Sequence, residues 1–215
     1  MICISLTEPT VAGCLKALEG VGLAVVRLDK MRIGAAGVAA IFSRHPLLIA
    51  TCRPGTMPEA KRRRLLLAAV EAGAAFVDLE LDAEARFRDR LIRAARGRNA
   101  RVIISHHDFR RTPPRAELEA IVGRAFEIGA DVAKIACRVR EARDSARLLG
   151  LLDFDKPLVV IGMGKKGRLT RIAAPLLGSL WSYASLGRGR ETADGQLDAA
   201  SLERHLLELG ALGHD

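Results

Sequence analysis

Residues 101–136 read RVIISHHDFRRTPPRAELEAIVGRAFEIGADVAKIA. The opening run, Arg101–Ser105, is short, apolar and β-branched, which is the composition of a buried strand. A helix is expected from about Pro114 to Gly129. Proline suits a first helical turn, where no N–H partner is needed, and glycine suits the stop. Asp131–Ala136 is a second apolar run. Strand, helix and strand in this length form a parallel crossover unit.

The same alternation extends in both directions. The remaining strand candidates are Ile2–Leu6, Gly22–Leu28, Leu47–Thr51, Ala75–Leu81, Pro157–Gly162 and Ser179–Ser185, which makes eight in all. One helix is expected from Pro58 toward Gly73. Another starts near Asp198, carries Leu202, Leu206 and Leu209 on one face, and stops at Gly210. Eight such units predict an α/β fold of the (β/α)8 TIM-barrel type, with residues 1–215 as one catalytic domain. An open doubly wound sheet is the alternative, and it needs a switch-point crevice. No Gly-rich dinucleotide loop follows the first strand. The stretch from Gly162 to Gly167, GMGKKG, has the look of a phosphate loop but lacks its spacing and sits late in the chain. The stretch from Gly187 to Gly195, GRGRETADG, reads as one mobile loop.

Composition narrows the setting. Nearly half the residues are hydrophobic, yet no segment is long and charge-free enough to span a bilayer. The start, MICISL, lacks the form of a signal peptide, so a cytoplasmic protein without a membrane partner is expected. Cys3, Cys14, Cys52 and Cys137 show no metal-ligand spacing and read as reduced thiols in or near the core. Net charge is +9, from runs such as Arg62-Arg63-Arg64 and the Arg86–Arg101 stretch. A nucleic-acid surface is one reading of that charge. With aromatics at 4%, stacking platforms are scarce. A solvated helix face is the reading adopted, and no nucleic-acid partner is expected.

Polar residues interrupt the strand ends in a register. Arg27, Arg53, Glu80, His107 and Lys134 follow one another at intervals of 26, 27, 27 and 27 residues. Each interval is one strand–helix unit. Parallel strands place residues one unit apart at similar heights, about 5 Å apart across the sheet. Alternation along each strand turns these five one way and Val26, Leu28, Val77, Leu79 and Ile104 the other. The five ionisable groups are therefore expected at the C-terminal end of a barrel, where barrel active sites lie. A self-satisfied buried ion network is the bland alternative, and desolvating such a ring is costly unless it is paired.

The groups permit a definite chemistry. Lys134 is flanked by Val132, Ala133, Ile135 and Ala136, a setting that favours the neutral amine able to attack a ketone. His107 is placed to move protons near neutral pH. His106 has the opposite parity and reads as structural; His45, His205 and His214 lie on helices or ends and read likewise. Arg171, near a helix start after the seventh strand, and Gln196 are candidates to grip a carboxylate. Arg27 and Arg53 are further candidates for that or for hydroxyls. No metal set appears. A carboxylated keto substrate, processed without a cofactor, is the expectation.

At these residues the sequence resembles the type I 3-dehydroquinate dehydratases, the Schiff-base dehydratases of the shikimate pathway that serves chorismate and aromatic amino acid biosynthesis. The matching stretches are VVRLD (25–29), TCR (51–53), FVDLEL (76–81), SHHDFRRTP (105–113), GADVAKIA (129–136), MGKKGRLTR (163–171) and GQ (195–196). They run in family order over nearly the whole chain. The resemblance implies a usually dimeric barrel in which Lys134 forms an imine with 3-dehydroquinate and His107 is the acid–base group. It implies carboxylate binding by Arg171 and Gln196, with Thr192 in the same loop, and pocket roles for Arg27 and Arg53. Two positions depart from the family pattern. Val25 stands where a glutamate contacts substrate hydroxyls, and Met57 aligns with a glutamate that helps hold the catalytic histidine. Glu59 or Glu80 is the available substitute. Two further functions share the fold. One is a class I aldolase using the same lysine, which Gly-rich loops after strands seven and eight favour. The other is a degenerate, non-catalytic barrel that binds a ligand or partner, which Val25 and Met57 favour.

Overall fold

Strand follows helix from Ile2 to Glu208 in a computed structural model that describes residues 1–210. The order is β1 (Ile2–Leu6), α1 (Val11–Ala17), β2 (Ala24–Arg27), α2 (Ala35–Phe42), β3 (Leu48–Thr51), α3 (Glu59–Glu71), β4 (Phe76–Glu80) and α4 (Ala85–Gly97). It continues with β5 (Arg101–Asp108), α5 (Arg115–Glu127), β6 (Val132–Arg138), α6 (Ala142–Gly150), β7 (Leu158–Met163), α7 (Arg168–Leu176), β8 (Ser182–Ser185), β9 (Leu197–Asp198) and α8 (Ala199–Glu208). His214 lies outside the described residues.

The helix ends follow their sequence signals. Pro58 and Pro114 sit at the N-caps of α3 and α5. Just past these helices Gly73 and Gly129 take φ near +100°, a left-handed conformation that costs a side-chain-bearing residue far more than glycine. Asp198 caps α8 by accepting the Ser201 N–H at 3.0 Å.

The residues form two compact units, 5–103 and 1–4 with 104 onward, so the division runs through β1 and β5. In the 5–103 unit, β2, β3 and β4 lie side by side and parallel, with Arg27 opposite Thr51 and Thr51 opposite Asp78. Leu65, Leu66, Val70, Val77 and Leu79 are buried among the strands and α3. Each such side chain contributes about 1.5–3 kcal/mol through burial. The Arg62–Arg64 run departs from the solvated face expected of it. Arg62 is buried, holds Glu59 through two hydrogen bonds, donates to the Cys52 carbonyl at 3.2 Å, and lies over the Phe87 ring. Arg63 bridges Glu59 and Glu84 beside the same ring. Part of the basic run is thus consumed by packing and ion pairs within the unit.

In the other unit, β5, β6 and β7 are consecutive neighbours, and β1 lies beside β8, where the Ser182 N–H reaches the Met1 carbonyl at 3.1 Å. A first strand beside an eighth is the neighbour relation of a closed barrel; a doubly wound sheet reverses strand order instead. Two strands of this unit differ most from expectation. β5 runs on through His106 and His107 to Asp108. β8 begins at Ser182 rather than Ser179, because Ser179 is spent in the turn: its hydroxyl accepts from Val160 N–H and donates to the Trp181 carbonyl, both at 3.2 Å. The two-residue β9 pairs with β8 and is too short to leave a pattern in sequence.

Gly162-Met163-Gly164-Lys165-Lys166-Gly167 serves close backbone packing. A Cβ on Gly162 would lie 2.7 Å from Thr170 Oγ1, and one on Gly167 would lie 2.4 Å from the Gly162 carbonyl carbon. Thr170 bridges this crowding, accepting the Gly162 N–H and donating to the Gly167 carbonyl, both at 2.7 Å. Replacing Thr170 with valine keeps the shape and removes both bonds. The buried Gly162 N–H and Gly167 carbonyl are then left open, and stability is expected to fall by about 2 kcal/mol, read as a lowered urea midpoint at unchanged slope.

Candidate active site

Arg27 ends β2 and is met by Asp29, which the turn after the strand brings back two residues later. The pair is bidentate, Nε to Oδ1 at 2.9 Å and Nη2 to Oδ2 at 2.7 Å. Burial pushes the Asp29 carboxyl up, but the hydrogen bond and charge of Arg27 outweigh it and hold the group below the usual carboxylate range. Thr51 is opposite Arg27 and Asp78 is opposite Thr51, so these three form one polar row.

Arg53 and Glu80 lie two residues beyond that row and pair with each other. The 27-residue interval between them matches the Thr51–Asp78 register. The 26-residue interval from Arg27 to Arg53 does not, since Arg27 is level with Thr51, 24 residues on. Arg27 is therefore two residues lower than the even spacing implies, because the α2 connection is shorter than one full repeat. Glu59 is held by Arg62 and Arg63, whose hydrogen bonds keep its carboxyl down at about 2 despite the opposing effect of burial. Its two oxygens are committed, which removes it as a substitute for the carboxylate that Met57 displaces. Met57 instead packs its sulfur against Cys52 at 4.0 Å. Val25 is buried in β2 opposite Ile49.

In the other unit, Lys134 sits in mid-β6, 5% exposed, opposite Val159. Its Nζ lies 4.9 Å from the centre of the Tyr183 ring on β8. That tyrosine was not foreseen; its signal was that it is the chain's single Tyr, placed inside a strand. His107, near the end of β5, is half-buried and stacks on Phe109, ring centres 6.0 Å apart and planes 19° apart. His106 turns the other way, with its Nε2 buried and without a hydrogen-bond partner among the described residues.

Arg171 lies in the first turn of α7 and is 2% exposed. Burial pulls its pKa down to about 10, with the Asp194 charge opposing and Arg168 adding to the fall. Its Nη2 reaches the Asp194 carbonyl at 3.4 Å, and its Nε has no hydrogen-bond partner among the described residues. A buried guanidinium with an open donor is a seat for an anion. Gln196, also buried, accepts from the Thr192 N–H at 2.6 Å and its hydroxyl at 3.1 Å. The structure so brings Arg53 to Glu80, Lys134 to Tyr183, and Thr192 to Gln196. The four thiols are buried and form no disulfides; burial raises Cys14 to about 11 and Cys52 and Cys137 to about 12, so these three stay protonated at neutral pH.

Ionisable residues at the C-terminal ends of parallel strands, in eight strand–helix units, define the chain as a (β/α)8-barrel enzyme. The family model for type I 3-dehydroquinase matches residues 2–212. The 3-dehydroquinate dehydratase of Methanocaldococcus jannaschii is 33% identical, over 94% of this chain and 96% of its own. That of Methanosarcina mazei is 32% identical, over 95% and 92%. The crystal structure of 3-dehydroquinate dehydratase from Geobacillus kaustophilus superimposes with a TM-score of 0.86 at 24% identity, over 99% of this chain and 92% of that one, a likeness of fold. The chain belongs to the type I 3-dehydroquinase family.

Proposed function

We propose that this chain acts as one catalytic domain that dehydrates 3-dehydroquinate to 3-dehydroshikimate through an imine on Lys134. Desolvation favours a neutral amine, the form that attacks a carbonyl. The Tyr183 face holds the amino group in place while it waits, and favours the ammonium ion when it is charged. Nζ attacks the C3 ketone, water leaves, and the imine acidifies the C2 proton. His107 removes that proton to give an enamine. The C1 hydroxyl then departs as water, protonated by His107 on the same side, and hydrolysis of the imine frees the product and the lysine. Every step balances with water alone, so no cofactor enters.

Arg171 is assigned the substrate carboxylate, with Gln196 and Thr192 completing the seat. Arg27 and Arg53 are assigned substrate contacts, and Glu80, which pairs with Arg53, is its support. The observation that carries the reading is the buried Lys134 on β6, one repeat after His107, in a chain of this family. A homodimer, which the family resemblance implies, and a cytoplasmic setting belong to the same reading and are checked by sedimentation and by cell fractionation.

The test is direct. The protein is incubated with 3-dehydroquinate, the ultraviolet enone of the product is followed, and borohydride is added to trap the imine for mass mapping to Lys134. An enone and an adduct on Lys134 are expected; neither appearing would sink the reading. An adduct without an enone would favour the ligand-binding barrel, which Val25, Met57 and the committed Glu59 also favour. Arg171→Ala is expected to raise KM by about 10- to 100-fold, since a charge-assisted contact is worth about 1.5–3 kcal/mol. An unchanged KM in steady-state kinetics would move the carboxylate elsewhere.

A further inference from the structure

We infer that Arg138 and Asp194 are positioning residues: their ion pair latches the loop that carries Thr192 and Gln196 against the β7–α7 turn, setting substrate affinity. The inference rests on the proposed function for what the loop does, though not for how it is held.

Arg138 ends β6, four residues beyond Lys134, and its Nη1 meets Asp194 Oδ2 at 2.5 Å. Its guanidinium also covers Gly164, where a Cβ would lie 3.0 Å from Arg138 Cζ. Asp194 works at both ends. While its carboxylate holds Arg138, its carbonyl accepts the Gly164 N–H at 3.0 Å and faces Arg171 Nη2 at 3.4 Å. The next residue, Gly195, approaches so closely that a Cβ there would lie 2.2 Å from the Gly164 carbonyl oxygen, and its φ is +79°. Gln196 follows, and its side chain holds Thr192. One residue thus connects the end of the lysine strand, the β7–α7 turn and the buried arginine to the loop.

The pair is half-exposed, 41% and 55%. Exposed ion pairs add little to global stability and are weakened by salt. Their effect here is to fix a loop before substrate arrives, which lowers the ordering cost of binding. The latch should act on KM, leave kcat within about twofold, and weaken with added KCl.

Three variants test it: Arg138→Met, Asp194→Asn, and the charge-reversed double Arg138→Asp with Asp194→Arg. Two readouts are used, hydrogen exchange over residues 187–196 and at Gly164, and steady-state kinetics with 3-dehydroquinate. Each single variant is expected to exchange faster and to raise KM about fivefold, with the borohydride adduct at saturating substrate unchanged. The double variant should recover part of both losses. Unchanged exchange and KM in the singles, or a double variant that merely sums them, overturns the latch. Should one variant fail to fold, salt titration of the wild type decides the matter: KM and exchange that do not rise with KCl also overturn it. Absence of enone in the wild type overturns the dehydratase reading instead, and the exchange data still decide whether the latch exists.

Discussion

Lys134→Ala should abolish turnover, lowering kcat by at least about 10^4-fold, and should leave no borohydride adduct on the protein. The expected size follows from losing the covalent route itself, since a residue that forms the intermediate has no partial substitute. Stability is expected to hold. Lys134 is buried, and a side chain whose charge is costly to desolvate can be exchanged for an apolar one of similar length at little cost. Val132 and Ala136, on the same face of the strand, are both buried, so a methionine at 134 is the better-packed control. Lys134→Met should keep the unfolding midpoint of the wild type while remaining inactive. Residual turnover above one part in a thousand in either variant would mean that the imine forms elsewhere or not at all.

His107→Ala separates bond formation from proton transfer. The lysine is intact, so the imine still forms and borohydride still marks Lys134. Elimination should slow by about 10^2- to 10^4-fold, the usual contribution of a positioned acid–base group. The adduct should accumulate to a higher level than in the wild type, because the trapped species is no longer drained. His106→Ala is the paired control. His106 points away from His107 and is expected to affect stability and leave elimination near normal. If His106→Ala loses elimination and His107→Ala does not, the two histidines exchange roles.

Much of this arrangement was legible because strand parity and unit length are properties of the chain. The Arg53–Glu80 pairing follows from a 27-residue repeat, and the register confirms the spacing through Thr51 and Asp78. Where the connection shortens, as before β3, the same arithmetic misplaces Arg27 by two residues. Long-range partners left weaker traces. Arg138 and Asp194 are 56 residues apart, on a strand end and a loop, and nothing in local pattern joins them. Glu59 is an available carboxylate by sequence alone, and in the fold Arg62 and Arg63 take it. Whether a carboxylate is free depends on which helix turn faces it, and an i,i+3 neighbour settled that here.

Gly195 against Gly164 carries a consequence for how this enzyme can change. With the two backbones in contact, any side chain at Gly195 strikes a carbonyl, so this anchor point is frozen in sequence. Upstream of it, Gly187, Arg188, Arg190 and Glu191 meet no such clash; Gly189, at φ +79°, is to be kept as glycine. New substrate preferences can therefore be written into those residues by substitution or insertion, with the anchor unaltered, and a library confined to them is where altered specificity should be sought.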